Sequence, residues 1–420
     1  MDLTTAVNKG ISIDIPKDHT VAWFLDRVTA FLLALCPILQ HYSGLLGELS
    51  ADILVILLPY SLYKLVFMKR FYIRPLIPLF LFAVYISVIH GISVFILARE
   101  MLLVLYYFLM VNGVVSFKKF FLSAKAIGIL AFVLLVVQYI LYYGFHYHLQ
   151  LVPTGMLLDS AEQWVALAQT GRISVTGVKT AFYRPSAFFL EPSHLTIYCI
   201  PVLILNLFCN DRKGHIKQSV MITLAMVMST SGMGIMASGG IWILYVVHHF
   251  GGIALDRRGG YLSMHRNIVL FGLAMLISVV VMYVSVSSFR GAINRIFVSS
   301  TEGNNAIAGR TASGIRMMRR LSGADIVIGT GNRYKLSQMN ISGFFYTLVQ
   351  YGVIGVVLLY YLYFKSLFVL DRGHFWLSLI VIGLSFFTVH TYAAFYRMYF
   401  MLFLLSGYPP RGKRENRCIV

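Results

Sequence analysis

The sequence predicts an all-α, polytopic integral membrane protein of about 12 transmembrane helices. Three observations predict it. Of 420 residues, 58% are hydrophobic and only 12% are charged, where an ordinary soluble domain is about a quarter charged, and mean hydropathy is +0.77. Apolar runs of the roughly 20 residues needed to cross a bilayer recur along the whole length. Lysine and arginine also collect in alternate short loops, as cytoplasmic loops of membrane proteins do.

The elements follow in order. The start "MDLTTAVNKGISIDIPKDHT" has neither a basic lead into a short apolar core nor a small-residue cleavage site, so the first apolar run, Val21–Gln40, is expected to be a retained helix. The spans then expected are Asp52–Phe67, Pro75–His90, Ile92–Phe117, Ala126–Tyr143, Pro192–Phe208, Ser219–Ser231, Met233–Phe250, Asn267–Val286, Phe345–Phe364, Phe375–His390 and Ala393–Gly407. With both termini cytoplasmic, the inside loops hold "KRFYIR", "KKFFLSAK", "DRKGHIK", "DRRGG" with Arg266, "DRG" and the tail "RGKREN", whereas the outside loops "HYSGLLGELS" and "SGMG" hold no Lys or Arg. That alternation justifies dividing the third span from the fourth and the seventh from the eighth. The expected organisation is helices over 1–145, a first long outside loop over 146–191, central helices over 192–286, a second long outside loop over 287–342, and helices with a tail over 343–420.

For the net charge of +19, cytoplasmic loops rich in Lys and Arg are a simpler source than nucleic-acid binding, so nucleic acid is not an expected partner. Cys36, Cys199 and Cys209 fall in or beside apolar runs and Cys418 in the tail; with no C-x-x-C, neither disulfides nor thiolate metal sites are expected. The outside loops carry no D-x-D or His/carboxylate spacing for a metal, and no P-loop occurs. An enzyme built this way would draw its energy from an activated substrate.

The second outside loop carries eight basic residues against two acidic ones, and seven of the eight are arginine. Arginine's planar fork suits bidentate binding of phosphate. If "GRTASGIRMMRRL" is helical to about Leu321, Arg316, Arg319 and Arg320 span about 100° of its surface, with Arg310 about 80° beyond. "GTGN" (Gly329–Asn332) then offers a turn whose amides approach an anion closely, with Arg333 and Tyr334 following it. The competing reading is a solvated basic face over anionic lipid headgroups.

The stretch "AFYRPSAFFLEPSHLTIY" places Tyr183, Arg184, Glu191 and His194 at the mouth of the sixth span. Glu191 before Pro192 is either a helix cap facing the dipole or an acid–base group. His194 is a weaker base candidate, and Arg184 either snorkels to headgroups or meets a lipid-linked phosphate. Within spans, Asp26, Arg27, Asp52, Arg99, Glu100 and Arg397 are costly against lipid; pairing between helices accounts for most, and Arg99 joins the binding candidates. Arg99 and Glu100, as sequence neighbours, are expected to diverge toward different partners.

An "R-P-S-x-F-F-x-E-P" element entering a mid-chain helix, then an outside loop "GR…R…G-x-G", an aromatic helix and "YGVIGVVLL", resembles the Wzy-type O-antigen and capsular polysaccharide polymerases, within the wider polymerase and ligase superfamily. The resemblance spans about Ala181 to Tyr360. It implies a GT-C-like fold with both long loops periplasmic, in a bacterial inner membrane, and glycosyl transfer without metal or other cofactor. Its substrate would be an undecaprenyl-pyrophosphate-linked oligosaccharide, with membrane lipid and a chain-length regulator protein as further partners. Arg184 and Arg310 would clamp pyrophosphate, and Arg316, Arg319 and Arg320 hold the second carrier or the glycan. Gly329 and Gly331 match the family's glycine pair. Glu191 is the first candidate for the base, His194 the second, and Tyr183 and Tyr334 suit sugar stacking. The alternative activity is an O-antigen ligase moving glycan to a lipid A core; ligases resemble one another in a histidine after the glycine pair, which "GTGNRYKLSQMNISGFF" lacks, so ligation is the less expected one. A flippase, less expected still, would carry membrane-embedded charges and inverted repeats, whereas this sequence concentrates charge in two same-side loops and shows no repeat.

Overall fold

The computed structural model describes residues 19–67, 71–91, 93–158, 185–209, 214–249, 306–333, 341–386, 388, 393–408 and scattered positions between 253 and 290. Helix dominates them: α1 (His19–Leu39), α2 (Leu49–Val66), α3 (Ile77–Ile89), α4 (Val94–Val111), α5 (Phe117–Phe145), α6 (Pro192–Phe208), α7 (His215–Met228), α8 (Gly232–His249), α9 (Ala306–Met318), α10 (Gly323–Ile328), α11 (Gly343–Val369), α12 (Arg372–Ser385) and α13 (Ala394–Leu405). Five helices, α1, α2, α4, α5 and α11, are long and apolar enough to cross a membrane, and α3, α6, α12 and α13 are shorter apolar helices. In the expected ninth span, Leu273, Ile277 and Val280 are helical.

Helix ends follow local chemistry. Residues His90–Gly91 divide α3 from α4: Gly91 takes φ 77°, and Ser93 caps α4 by accepting from the Ile96 amide. Thr230, at φ 53°, divides α7 from α8. The fourth span ends at Val111, earlier than expected, because Gly113 turns at φ 74° and Ser116 starts α5 as its cap. "KKFFLSAK" is therefore the first two turns of α5 and not a loop. Another departure is a two-stranded hairpin, β3 (Ile253–Leu255) with β4 (Leu262–Met264), inside an expected short loop.

Antiparallel neighbours sort the polar contacts to two ends. At one, the short hairpin β1 (Ser43–Gly44) and β2 (Gly47–Glu48) joins α1 to α2, and Asp52 closes its turn by accepting from the amides of Leu45 and Leu46 at 2.7 and 2.9 Å. The chain after α5 returns onto this hairpin, with the Leu158 amide donating to His41 O at 2.9 Å. The Ala187 amide donates to Gln138 Oε1 on α5, bringing the approach to α6 to the same end. At the opposite end Asp26 accepts from Lys64 at 2.6 Å and Lys119 at 3.2 Å, pinning α1, α2 and α5 together. Arg27 lies over the Trp23 ring at 3.8 Å. Helices α6 and α13 are buried on every side, so they form the middle of the bundle, where the Tyr198 and Tyr399 rings stack at 4.7 Å.

Candidate functional site

The hairpin end gathers most of the ionisable groups that the apolar core holds. Helix α4 starts there, which puts Arg99 and Glu100 about two turns inside. Helix α13 also starts there and presents Arg397 from its first turn. Arg397 and Glu100 form an ion pair with side chains 6% and 5% exposed. Their neighbour Arg99 does not diverge from Glu100 as the adjacency suggested. Its Nη2 lies 3.5 Å from Glu100 Oε1, while Nη1 lies 3.7 Å from Glu48 Oε1 in the hairpin. Both distances exceed a well-made hydrogen bond. Arg99 Nε is buried and hydrogen-bonds to nothing among the described residues. The result is a partly open guanidinium, 29% exposed, held between two carboxylates with unsatisfied donor capacity.

Glu48 shares that setting. Burial pushes its carboxyl above the ordinary glutamate value; Arg99 partly offsets this and Glu100 adds to it. At the same end His41 and His194 stack, with ring centroids 4.7 Å apart and planes 4° from parallel. His194 is 2% exposed, and the Tyr396 hydroxyl donates to its carbonyl. Glu191 occupies the N-cap position of α6 with Pro192 following, as read from the sequence, yet its side chain makes no capping bond. It accepts instead from Ser193 Oγ at 2.8 Å.

The glycine pair docks onto the same end by backbone packing. Helix α11 breaks at Gly352 (φ 64°, ψ −173°), freeing carbonyls of its first turns. Thr330 fills the gap, its amide and hydroxyl both donating to Val349 O, at 2.9 and 3.0 Å. Tyr85 Oη donates to Ile328 O at 2.6 Å and lies 3.2 Å from Tyr351 O, joining the turn to α3 and α11. A Cβ on Gly329 would stand 2.5 Å from Gln350 O, and one on Gly331 would stand 2.5 Å from Ile89 O. Close approach of backbones thus explains both glycines. The Gly329 amide donates to Asp325 O, so it and the Thr330 amide are spent inside the protein and do not face an anion.

The arginine-rich helix differs from its expected shape. Helix α9 stops at Met318, because Ser322 opens α10 with a capping box closed by Asp325, and Arg319 and Arg320 fall in the turn between. The Arg316, Arg319 and Arg320 side chains are exposed there, and Arg333 pairs with Asp325 at 2.9 Å. Arg310 lies in α9 and Asn332 in the turn that follows α10, their side chains outside the described set; Tyr183, Arg184 and Tyr334 lie outside the described residues altogether. Of the expected site, the fold therefore brings Arg99, Glu191 and His194 to one end, with the α10 turn that carries Gly329 and Gly331.

Glu48, His41 and Arg397 were absent from the expected site. Arg397 had a visible signal, an arginine inside an apolar run. Glu48 had none, since one glutamate in a short loop is unremarkable. No protein-family model matches the chain, and no curated protein matches it.

Proposed function

We propose that the chain is a glycosyltransferase of the outer face of a bacterial inner membrane, a polymerase that moves a growing glycan from undecaprenyl pyrophosphate onto an incoming lipid-linked repeat. The observation that carries this reading is the convergence on one end of an apolar bundle of the Arg99–Glu48–Glu100–Arg397 network and the arginine-rich α9–α10 segment. An anionic, lipid-borne substrate is the ligand that such a mouth fits. An apolar groove of about 450 Å³ between α1 and α5, lined by Phe31, Leu35, Ile127, Leu130 and Phe188, suits the polyprenyl tail, and Phe188 lies three residues before Glu191.

In the reaction, an acceptor hydroxyl oxygen bonds to the anomeric carbon while the bond from that carbon to the pyrophosphate oxygen breaks, its electron pair leaving with pyrophosphate. Arginines held around the leaving oxygen stabilise the charge that develops there, each key donor contributing about 3–4 kcal/mol. Arg184 and Arg310 are assigned to that clamp, with Arg99 as a third donor. The hydroxyl proton passes to a carboxylate. Glu191 and Glu48 are the two candidates, and burial raises the Glu48 carboxyl's affinity for a proton above that of an ordinary glutamate, the direction a general base requires.

A second reading, a transporter of the same lipid-linked glycan, is favoured by two particular features: the Arg397–Glu100 charges lie inside the bundle, and α11 is interrupted at Gly352. Purified protein supplied with a defined lipid-linked repeat separates the two. A polymerase yields a ladder of glycans; a transporter leaves single repeats. In cells, Arg184→Ala and Arg310→Ala at unchanged membrane level should each leave one-repeat glycans, and Lys should rescue poorly because it lacks the bidentate fork. Full-length polymer from both variants would refute the assigned clamp.

A further inference from the structure

At the end of the bundle opposite the charged mouth, three metal-ligating side chains meet. Cys209 closes α6, Asp371 caps α12, and His374 stands in the first turn of α12. One ligand atom from each lies within 4.8 Å of the other two. Cys209 and His374 are buried and Asp371 is half-buried. Cys209 and Asp371 are 162 positions apart, so the absence of a C-x-x-C motif gave no hint of the group.

His374 is engaged at both ring nitrogens. Ser406 Oγ donates to Phe403 O at 2.7 Å and lies 2.8 Å from His374 Nε2, which can donate to it. Nδ1 faces both Asp371 oxygens, at 2.8 and 2.9 Å, through a proton or, with the ring in the Nε2–H tautomer, through a metal. The Cys209 thiol donates to Asp371 Oδ1 at 3.7 Å, which brings the sulfur to the same carboxylate. Ligands of tetrahedral zinc, bound at about 2.0–2.3 Å, stand roughly 3.3–3.8 Å from one another. The sulfur–oxygen spacing of 3.7 Å is in that range, the nitrogen–oxygen spacing needs to open by about half an ångström, and the sulfur–nitrogen spacing lies within 4.8 Å.

We propose that Cys209, Asp371 and His374 form a site for a divalent cation of the zinc class. The thiolate, imidazole and carboxylate set is the one such ions select. Loading displaces the Cys209 thiol proton and the Nδ1 proton and leaves a fourth position for water. Ser406 fixes the histidine tautomer from behind, the usual arrangement for a metal-bound imidazole. The ion would tie together the ends of α6, α12 and α13, and the site is independent of the proposed glycosyl transfer.

The test uses full-length protein purified in detergent, stripped with chelator and titrated with Co²⁺ alone. Bound metal is measured after gel filtration, and the thiolate-to-cobalt charge-transfer absorption is recorded. The site predicts one cobalt per chain with that absorption, its bleaching by Zn²⁺, and its loss in Cys209→Ser and His374→Ala. Cys418→Ser should leave it unchanged, and Ser406→Ala should weaken Co²⁺ binding by roughly 10–100-fold. Wild-type protein without the absorption would overturn the proposal without recourse to any variant and leave His374 simply hydrogen-bonded to Asp371. An absorption that survives both Cys209→Ser and His374→Ala would overturn it equally, by placing the metal elsewhere.

Discussion

Arg397→Leu removes the positive partner of Glu100 where both side chains are almost wholly enclosed. Deleting one member of a buried ion pair costs about 3–5 kcal/mol, since the survivor keeps its desolvation and loses its compensation. Two features set the value here. The Arg397 guanidinium also lies 5.3 Å from the Phe82 ring, a contact worth about 2 kcal/mol when desolvated. Against this, Arg99 Nη2 is already 3.5 Å from Glu100 Oε1 and can turn to it, abandoning Glu48. The net expectation is a loss of about 3–4 kcal/mol, two to three powers of ten in the folding equilibrium. Replacing both members by leucine leaves no stranded charge, and such swaps are neutral or stabilising by about 1–4 kcal/mol. The Glu100→Leu/Arg397→Leu protein should therefore be more stable than Arg397→Leu by at least about 2 kcal/mol. SDS-titrated unfolding in mixed micelles, followed by helical circular dichroism, measures the full cycle of four proteins. A coupling energy below about 1 kcal/mol, or a double variant less stable than the single one, refutes the reasoning.

Gly352→Ala and Gly329→Ala each put a side chain at positive φ against backbone, Gly352 against Val327 O and Gly329 against Gln350 O. Both positions have conformations that essentially only glycine adopts, so each variant should lose about 2–3 kcal/mol in the same unfolding assay, and loss of under about 0.5 kcal/mol would mean the turn does not seat in the α11 break. Glu48 makes stability depend on pH. Its carboxyl binds a proton more tightly in the folded than in the unfolded chain, so stability falls as pH rises from the ordinary glutamate range through the raised folded value. Glu48→Gln removes that fall; melting temperatures of the two proteins should diverge in favour of the variant as pH rises across this window, and a constant difference would show that Glu48 is not desolvated.

Hydropathy located the helices well because an apolar run needs no partner to declare itself. Eleven expected spans coincide with named helices, from α1 at Val21–Gln40 to α13 at Ala393–Gly407. Boundaries were legible where a capping residue stood alone and illegible where helix-forming residues continued, as at "KKFFLSAK". The Glu191–Pro192 start of α6 was read correctly, but that its carboxylate turns to Ser193 was not, since either arrangement suits the same two residues. The Arg397–Glu100 pair joins positions 297 apart, and Glu48 meets Arg99 only because a hairpin folds over α4; neither pairing has a local signature. Gly329 and Gly331 drew attention for the right reason, tolerance of close approach, with the wrong partner: the approaching group is the α11 and α3 backbone.

The contact between Arg99 and Glu100 has a consequence for how the chain is made. At a synthesis rate of about 5–20 residues per second, the 297 positions separating Glu100 from Arg397 take roughly 15–60 s to emerge. Throughout that interval α4 carries two adjacent charges into the bilayer with its eventual partner not yet translated. Each isolated charge at a helix centre opposes insertion by about 2.5–3.5 kcal/mol. Because the neighbouring guanidinium and carboxylate reach each other within one helix, α4 enters as a locally neutral segment and waits. Arg397 then arrives on one of the last helices and pairs with Glu100, leaving Arg99 shared between Glu100 and Glu48.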